Sequence, residues 1–295
     1  MQAIGILYPG DMGHNVGRVL KEDGFAVVTT LVGRSARTRQ LSAQAAITEL
    51  DSLLAVVEQA DIVLSIIPPT AAQTVSRDFA CATQQANRRP LFVDANAVSP
   101  MTVSQVGETI RAAGCDFLDA CIIGPARDVR GRCTVYVSGP NVREFESALG
   151  QSLRMHPLGD TIGQASAFKM LFSGLNKGLV AVLSELTVAA QEYNCLDDLL
   201  ACYTELFPGV MQSLEWLVPT YPFHAARRAE EMRELAETLE HLHSSAVMAR
   251  GTQQTLAEIG QLDLTGRFPE YGEHDWTLRQ VLEALGQCGA LKRGS

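Results

Sequence analysis

The sequence predicts a doubly wound α/β domain over residues 1–160, followed by an all-α domain over residues 161–295. Three observations carry that expectation. Short apolar runs rich in Val and Ile alternate with helical stretches through the first half. The first run ends in a glycine-bearing turn that opens a helix. Beyond Gly163 the strand pattern stops and only helical spacing continues.

In chain order, the strand-like runs are residues 3–7, 26–31, 62–67, 91–93, 117–123 and 134–137. Gly, Pro, Asp or Asn closes each. Unbroken apolar runs suit strands covered on both faces of a parallel sheet. Residues 12–22 and 100–113 have helix-like spacing and supply crossovers, which gives the βαβ rhythm. Residues 165–191 form a long apolar stretch rich in small side chains. It reads as one largely buried helix, long enough to run through a domain or subunit interface. Further helices are expected at 195–207, 211–217, 224–249, 251–259 and 276–285, punctuated by Pro208, Pro219, Pro222 and Pro269.

Composition removes several classes. Of 295 residues, 46% are apolar and 19% charged, too apolar and too sparsely charged for wholesale disorder. No run of about 18 uncharged apolar residues is seen, so a membrane partner is not expected. Asp and Glu outnumber Lys and Arg by 33 to 24, a formal charge of −9, which argues against a general nucleic-acid binder. The first residues lack a cationic segment followed by an apolar one, so no secretory signal is expected. The seven cysteines are scattered and include no C-x-x-C. Reduced thiols in a cytoplasmic protein without a metal site are therefore the expectation.

The first run leads into Tyr8, Pro9, Gly10, Asp11, Met12 and Gly13. A dinucleotide loop reads G-x-G-x-x-G, and here Tyr8 stands in place of its first glycine. Gly10 lets the backbone approach a pyrophosphate, and Gly13 lets the helix pack close to the sheet. The phosphates would lie on N–H groups of the helix N-terminus. An ordinary βα turn is the plainer reading, but the position after the first strand is the one the motif requires. This makes the first half a Rossmann-type domain. About 20 residues further on, where an NAD site places an acidic residue, the chain has Arg34, Ser35 and Arg37. Guanidinium binds phosphate through paired hydrogen bonds, so these residues favour NADP over NAD. A solvated basic loop is the alternative.

Four later segments carry a family pattern. Ile67 and Pro68 close the run Ser65-Ile66-Ile67-Pro68-Pro69. Then come Asp94-Ala95-Asn96-Ala97-Val98-Ser99-Pro100, Asp119-Ala120-Cys121-Ile122-Ile123-Gly124-Pro125, and Gly163-Gln164-Ala165-Ser166-Ala167-Phe168-Lys169. With the glycine loop, they follow in an order that resembles the β-hydroxyacid dehydrogenase family, relatives of 3-hydroxyisobutyrate and 6-phosphogluconate dehydrogenases. The likeness spans nearly all of the first half and reaches the long helix. The second half is similar to a branch with a divergent helical domain.

The resemblance implies roles for these residues. Ile67 and Pro68 would lie beside the nicotinamide. Asn96 stands where the family has Ser and offers an amide to the nicotinamide or a substrate carboxylate, unless it only forms a turn. Gly124 keeps a backbone N–H for the substrate. Ile123 replaces a hydroxyl donor and Pro125 removes an N–H, which makes the pocket more apolar. Cys121 has nothing nearby to mark it as a nucleophile. Lys169 falls on the family's catalytic lysine, and it is the only charged residue between Asp160 and Lys177. A lysine in an apolar helix start is costly unless paired or solvated; snorkelling is the bland alternative. Ser173 replaces the family's Asn one turn on, so Asn176 or Lys177 is expected to assist. Arg227 or Arg228 would bind an anionic group or belong to a surface charge cluster. The segment His274-Asp275-Trp276 caps the last helix or approaches the site.

The expectation is therefore an NADP-dependent oxidoreductase. It would act on a small-molecule hydroxy acid or related carbonyl compound, with Lys169 as general acid/base, as a homodimer. A reductase of a bulky ketone or imine and a non-catalytic NADP-sensing protein are the alternatives.

Overall fold

The structure, a computed structural model, describes residues 2–262, 264, 266–268, 276–289 and 291. His274, Asp275 and Pro269 lie outside them. Two compact units divide at Met170 and Leu171, inside the long helix rather than ahead of it.

The first unit contains β1 (Ala3–Leu7), α1 (Asp11–Glu22), β2 (Ala26–Thr30), α2 (Ala36–Gln44), β3 (Thr48–Leu50), α3 (Leu53–Gln59) and β4 (Ile62–Ser65). Next come α4 (Ala72–Gln85), β5 (Leu91–Asp94), α5 (Pro100–Ala112), β6 (Phe117–Ile123), α6 (Val129–Arg132), β7 (Thr134–Ser138), α7 (Val142–Leu149) and β8 (Met155–Gly159). The sheet order is β3-β2-β1-β4-β5-β6-β7-β8. Strands β1 to β6 are parallel; β7 pairs antiparallel with β6, and β8 parallel with β7. The strand order reverses about β1, so the ends of β1 and β4 flank the crevice where such sheets bind ligands.

Alternation along each strand feeds two cores. Ile6, Leu64, Val93 and Leu118 face one side with Val16 and Leu20 of α1. Val63, Phe92 and Phe117 face the other with Val56, Phe79 and Ile110. Each buried side chain of this size stabilises the fold by roughly 1.5–3 kcal/mol. Strands β3 and β8 escaped the apolar-run criterion because they are edge strands. Most of their residues are exposed, and β8 carries Pro157, which an edge tolerates.

The second unit begins within α8 (Gln164–Glu192) and continues through α9 (Leu196–Leu206), α10 (Pro208–Leu217), α11 (Tyr221–His241), α12 (Val247–Gln261) and α13 (Leu278–Gln287). One helix was expected over 224–249; the structure has two. The chain turns at His243, whose φ of +55° is left-handed, and Ser244 N–H closes the end of α11 on Leu239 O at 2.9 Å. Gly260, late in α12, lies so close to Ala226, early in α11, that an added Cβ would meet its backbone N at 2.8 Å. The two helices thus form an antiparallel hairpin. Thr277 and Gln280 cap α13 reciprocally.

Candidate active site

The β1–α1 turn is open, with backbone N–H groups at its helix start. Gly10 is the N-cap of α1 and no side chain caps this helix. Its first N–H groups have no intrahelical acceptor, and a Cβ at Gly10 would meet nothing within 4 Å. The turn therefore has room for a pyrophosphate lying on backbone N–H groups. Tyr8 holds the position of the missing first glycine in a left-handed conformation, φ +51°, which costs about 1–2 kcal/mol for a non-glycine. Its ring lies under Arg34, whose guanidinium carbon is 4.3 Å from the ring centroid. Burial raises the Tyr8 phenol above its usual range, and Arg34 opposes that rise.

One expectation is corrected at this turn. A Cβ on Gly13 would reach Ile6 at 3.5 Å and Pro9 at 3.6 Å, ordinary contacts. The tight approach of helix to sheet comes at Gly17, where a Cβ would meet Ile47 at 2.6 Å and Ile6 at 3.1 Å. Pro9 is buried, Met12 packs against the sheet core, and Asp11 is exposed in the first turn of α1. Arg37 donates to both Asp11 carboxylate oxygens, at 3.1 and 3.2 Å, which compensates that acidic group in the first turn of α1. Ser35 caps α2 by accepting from Thr38 N–H at 3.2 Å. Arg34 and Arg37 thus both reach the β1–α1 turn.

After β4 and β5 the structure revises the role of Asn96. Its side-chain carbonyl accepts from Ile67 N–H at 2.7 Å. Its amide donates to Ser65 Oγ at 3.0 Å and Asp94 Oδ2 at 2.9 Å, and its backbone N–H to Asp94 Oδ1 at 3.0 Å. Both amide hydrogens are spent inside the protein, so Asn96 offers none to a nicotinamide or a carboxylate. It shapes the turn that presents Ile67 and the exposed Pro68.

Burial pushes the Asp94 carboxyl up to about 7, against the two hydrogen bonds from Asn96. An unfolded Asp titrates near ~4. Between these values the folded chain holds the extra proton, so Asp94's contribution to stability falls as pH rises from about 4 to about 7. Burial raises Asp119 as well, which adds to the same slope. Asp94→Asn is expected to make melting temperature less steep with pH across this range. An unaltered slope would refute the assignment.

Strand β6 and the start of α8 bring Lys169 to the Ile123-Gly124-Pro125 turn. Lys169 Nζ donates to Ile122 O at 2.8 Å, beside Ile123, Gly124 and Pro125. Gly124 has φ +139°, and a Cβ there would overlap the Arg132 carbonyl and Cys133, so glycine is required on both counts. Cys121 is buried and burial pushes its thiol up to about 12, which leaves it unreactive. Tyr136 of β7 packs its ring at a tilt against Phe168, centroids 4.5 Å apart, bracing the residue before Lys169.

The second unit holds the remaining expected residues. Lys177 is 5% exposed and its ammonium lies 2.8 Å from Glu231, also buried. Arg227 pairs with the same carboxylate. Lys177 is therefore committed to a buried ion pair, which corrects its reading as an acid–base group. Arg227 neutralises Glu231 and is half-exposed. Arg228 stacks over Tyr221 at 4.1 Å. Ser173 and Asn176 are half-buried on α8. Sequence reasoning passed over Asp94 and Asp119, although each is a lone carboxylate in a strand otherwise apolar on both faces.

The parallel sheet, the open glycine turn and the two arginines beside it define an NAD(P)-binding protein. The family described as the NAD binding domain of 6-phosphogluconate dehydrogenase matches residues 3–149, and a domain of unknown function matches residues 190–259. The conserved protein MTH1747 of unknown function, whose structure resembles 3-hydroxyacid dehydrogenases, is 28% identical, with 87% of this chain and 97% of that one covered and a TM-score of 0.66. A Mycobacterium tuberculosis 3-hydroxyisobutyrate dehydrogenase solved with L-serine is 18% identical over 97% and 99% of the chains, TM-score 0.70. An imine reductase of Myxococcus stipitatus in complex with NADP+ is 17% identical over 96% and 99%, TM-score 0.58. The last two speak for the fold alone. Residues 3–149 belong to that NAD-binding family, and they continue into a helical C-terminal region, as in NAD(P)-dependent oxidoreductases similar to the β-hydroxyacid dehydrogenases.

Proposed function

We propose that the chain is an NADP-dependent oxidoreductase that moves hydride between the nicotinamide and a hydroxy acid or related carbonyl compound. Lys169 is its general acid/base. The observation that carries this reading is the placement of Lys169 against the Ile122 carbonyl, next to the Ile123-Gly124-Pro125 turn. When bound, the cofactor supplies hydride chemistry; the protein's task is to hold it and manage a proton. In reduction the Lys169 ammonium gives its proton to the substrate oxygen as the carbonyl carbon gains hydride. In oxidation the neutral amine takes the hydroxyl proton. Gly10 to Gly13 hold the pyrophosphate, and Arg34 and Arg37 hold the 2′-phosphate. Along α8, Ser173 follows Lys169 as a proposed substrate contact and Asn176 as the proposed assisting group.

Ile123 and Pro125 remove polar groups from the turn and favour a second reading on the same fold, a reductase of a bulky ketone or imine. NADPH consumption with panels of oxo acids, ketones and cyclic imines separates the readings. Cofactor binding without turnover across all three would identify a non-catalytic NADP-binding protein instead.

A homodimer in a cytoplasmic setting is part of the proposal. Leu171, Phe172, Leu175, Val182 and Leu186 leave an apolar stripe exposed along α8. A groove of about 620 Å³ runs beside it, lined by Tyr203, Phe207 and Val210 among others. By length and hydropathy alone α8 would pass for a membrane span. We assign the stripe to a second copy because a single helix face pairs with itself about a two-fold axis. Sedimentation should give a dimer, and a monomer would contradict it.

A further inference from the structure

We propose that Asp119 is the positioning residue for Lys169, mooring the start of α8 to β6 so that the ammonium arrives at the strand's carboxyl end. The proposal rests on the reading of Lys169 above. Asp119 is fully buried in β6. Its Oδ2 accepts from Gly163 N–H at 2.9 Å, Ala165 N–H at 3.1 Å, Ser166 N–H at 3.1 Å and Ser138 Oγ at 3.0 Å. Its Oδ1 accepts from Ser166 Oγ at 2.7 Å. Ser138 Oγ in turn accepts from Ala165 N–H at 3.0 Å. One carboxylate thus takes up three of the N–H groups at the start of α8 that lack intrahelical acceptors, at the end where the helix dipole favours negative charge.

A second mooring lies further along the same strand. Lys169 Nζ donates to Ile122 O. From Asp119 to Ile122 the strand advances about 10 Å at ~3.3 Å per residue. From Ala165 to Lys169 the helix advances about 6 Å at ~1.5 Å per residue, and the lysine side chain spans the difference. The first turns of α8 therefore run in the direction of β6. Slippage at Asp119 moves Lys169 along the strand. Asp119 itself does not touch the reacting atoms.

The chain has only four lysines, Lys21, Lys169, Lys177 and Lys292, so reductive methylation with ¹³C-formaldehyde gives a sparse NMR spectrum. Dimethylation leaves one N–H for Ile122. In Asp119→Asn an amide NH₂ replaces one oxygen and faces N–H donors. The Lys169 methyl signal should move toward the position of a fully hydrated lysine. The Lys177 signal, reporting its ion pair with Glu231, should stay in place. A Lys169 signal that stays put in folded Asp119→Asn overturns the proposal. Should that variant fail to fold, Ser166→Ala removes a single hydroxyl donor. It should move the signal less and in the same direction, and no movement again overturns the proposal. This readout needs no substrate, so its failure is distinct from failure of the catalytic reading, which shows as undiminished turnover in Lys169→Ala.

Discussion

Lys169→Ala should lower turnover by roughly 10²- to 10⁴-fold, the usual contribution of a positioned acid–base group, and leave NADPH affinity unchanged. The split follows from location. Lys169 reaches the Ile122 carbonyl at the end of β6, whereas the predicted cofactor contacts lie on the β1–α1 and β2–α2 turns. Lys169→Arg should be nearly as damaging. Its guanidinium keeps the charge but does not release a proton near neutral pH, so the oxidative direction has no base. Steady-state kinetics with a substrate found in the NADPH screen, paired with a cofactor titration, checks both halves. Full turnover in Lys169→Ala would show the assignment to be wrong.

The second large effect concerns the cofactor's 2′-phosphate. Replacing Arg34 and Arg37 together by Ala should weaken NADPH by about 10- to 100-fold for each charge-assisted hydrogen bond removed, while NADH is little affected. Arg37 now pairs with Asp11, but both side chains are well exposed. Such a pair is worth at most about 1 kcal/mol, so Arg37 can turn to a phosphate at small cost. Arg34 is already held over the Tyr8 ring. Truncating either arginine leaves the sheet and its cores untouched, so stability should change little.

Much of this was legible in the amino-acid order because burial writes itself into it. The runs that became β1, β4, β5 and β6 are almost wholly apolar, since both faces of the sheet are covered. The same criterion misses β3 and β8, whose edge positions leave polar residues exposed. The turn at His243 was hidden because a left-handed non-glycine has no glycine to announce it. At the site, motif order placed Gly10, Arg34, Arg37 and Lys169. It could not show how polar atoms pair across strands. Asn96 is the clearest case: its sequence position suggested a ligand contact, and its hydrogen bonds to Ile67, Ser65 and Asp94 hold a turn. Lys177 likewise shares the helix face of Lys169 by spacing, yet Glu231, distant in sequence, claims it.

The central claim is that a dinucleotide lies on the Gly10–Gly13 turn with its 2′-phosphate between Arg34 and Arg37. Fluorescence titration of the wild-type chain with NADPH and with NADH tests it most directly. The account predicts saturable binding of both, NADPH the tighter, with the preference lost in the Arg34→Ala, Arg37→Ala double variant. No binding at millimolar NADPH, or equal affinity for the two cofactors, would contradict it.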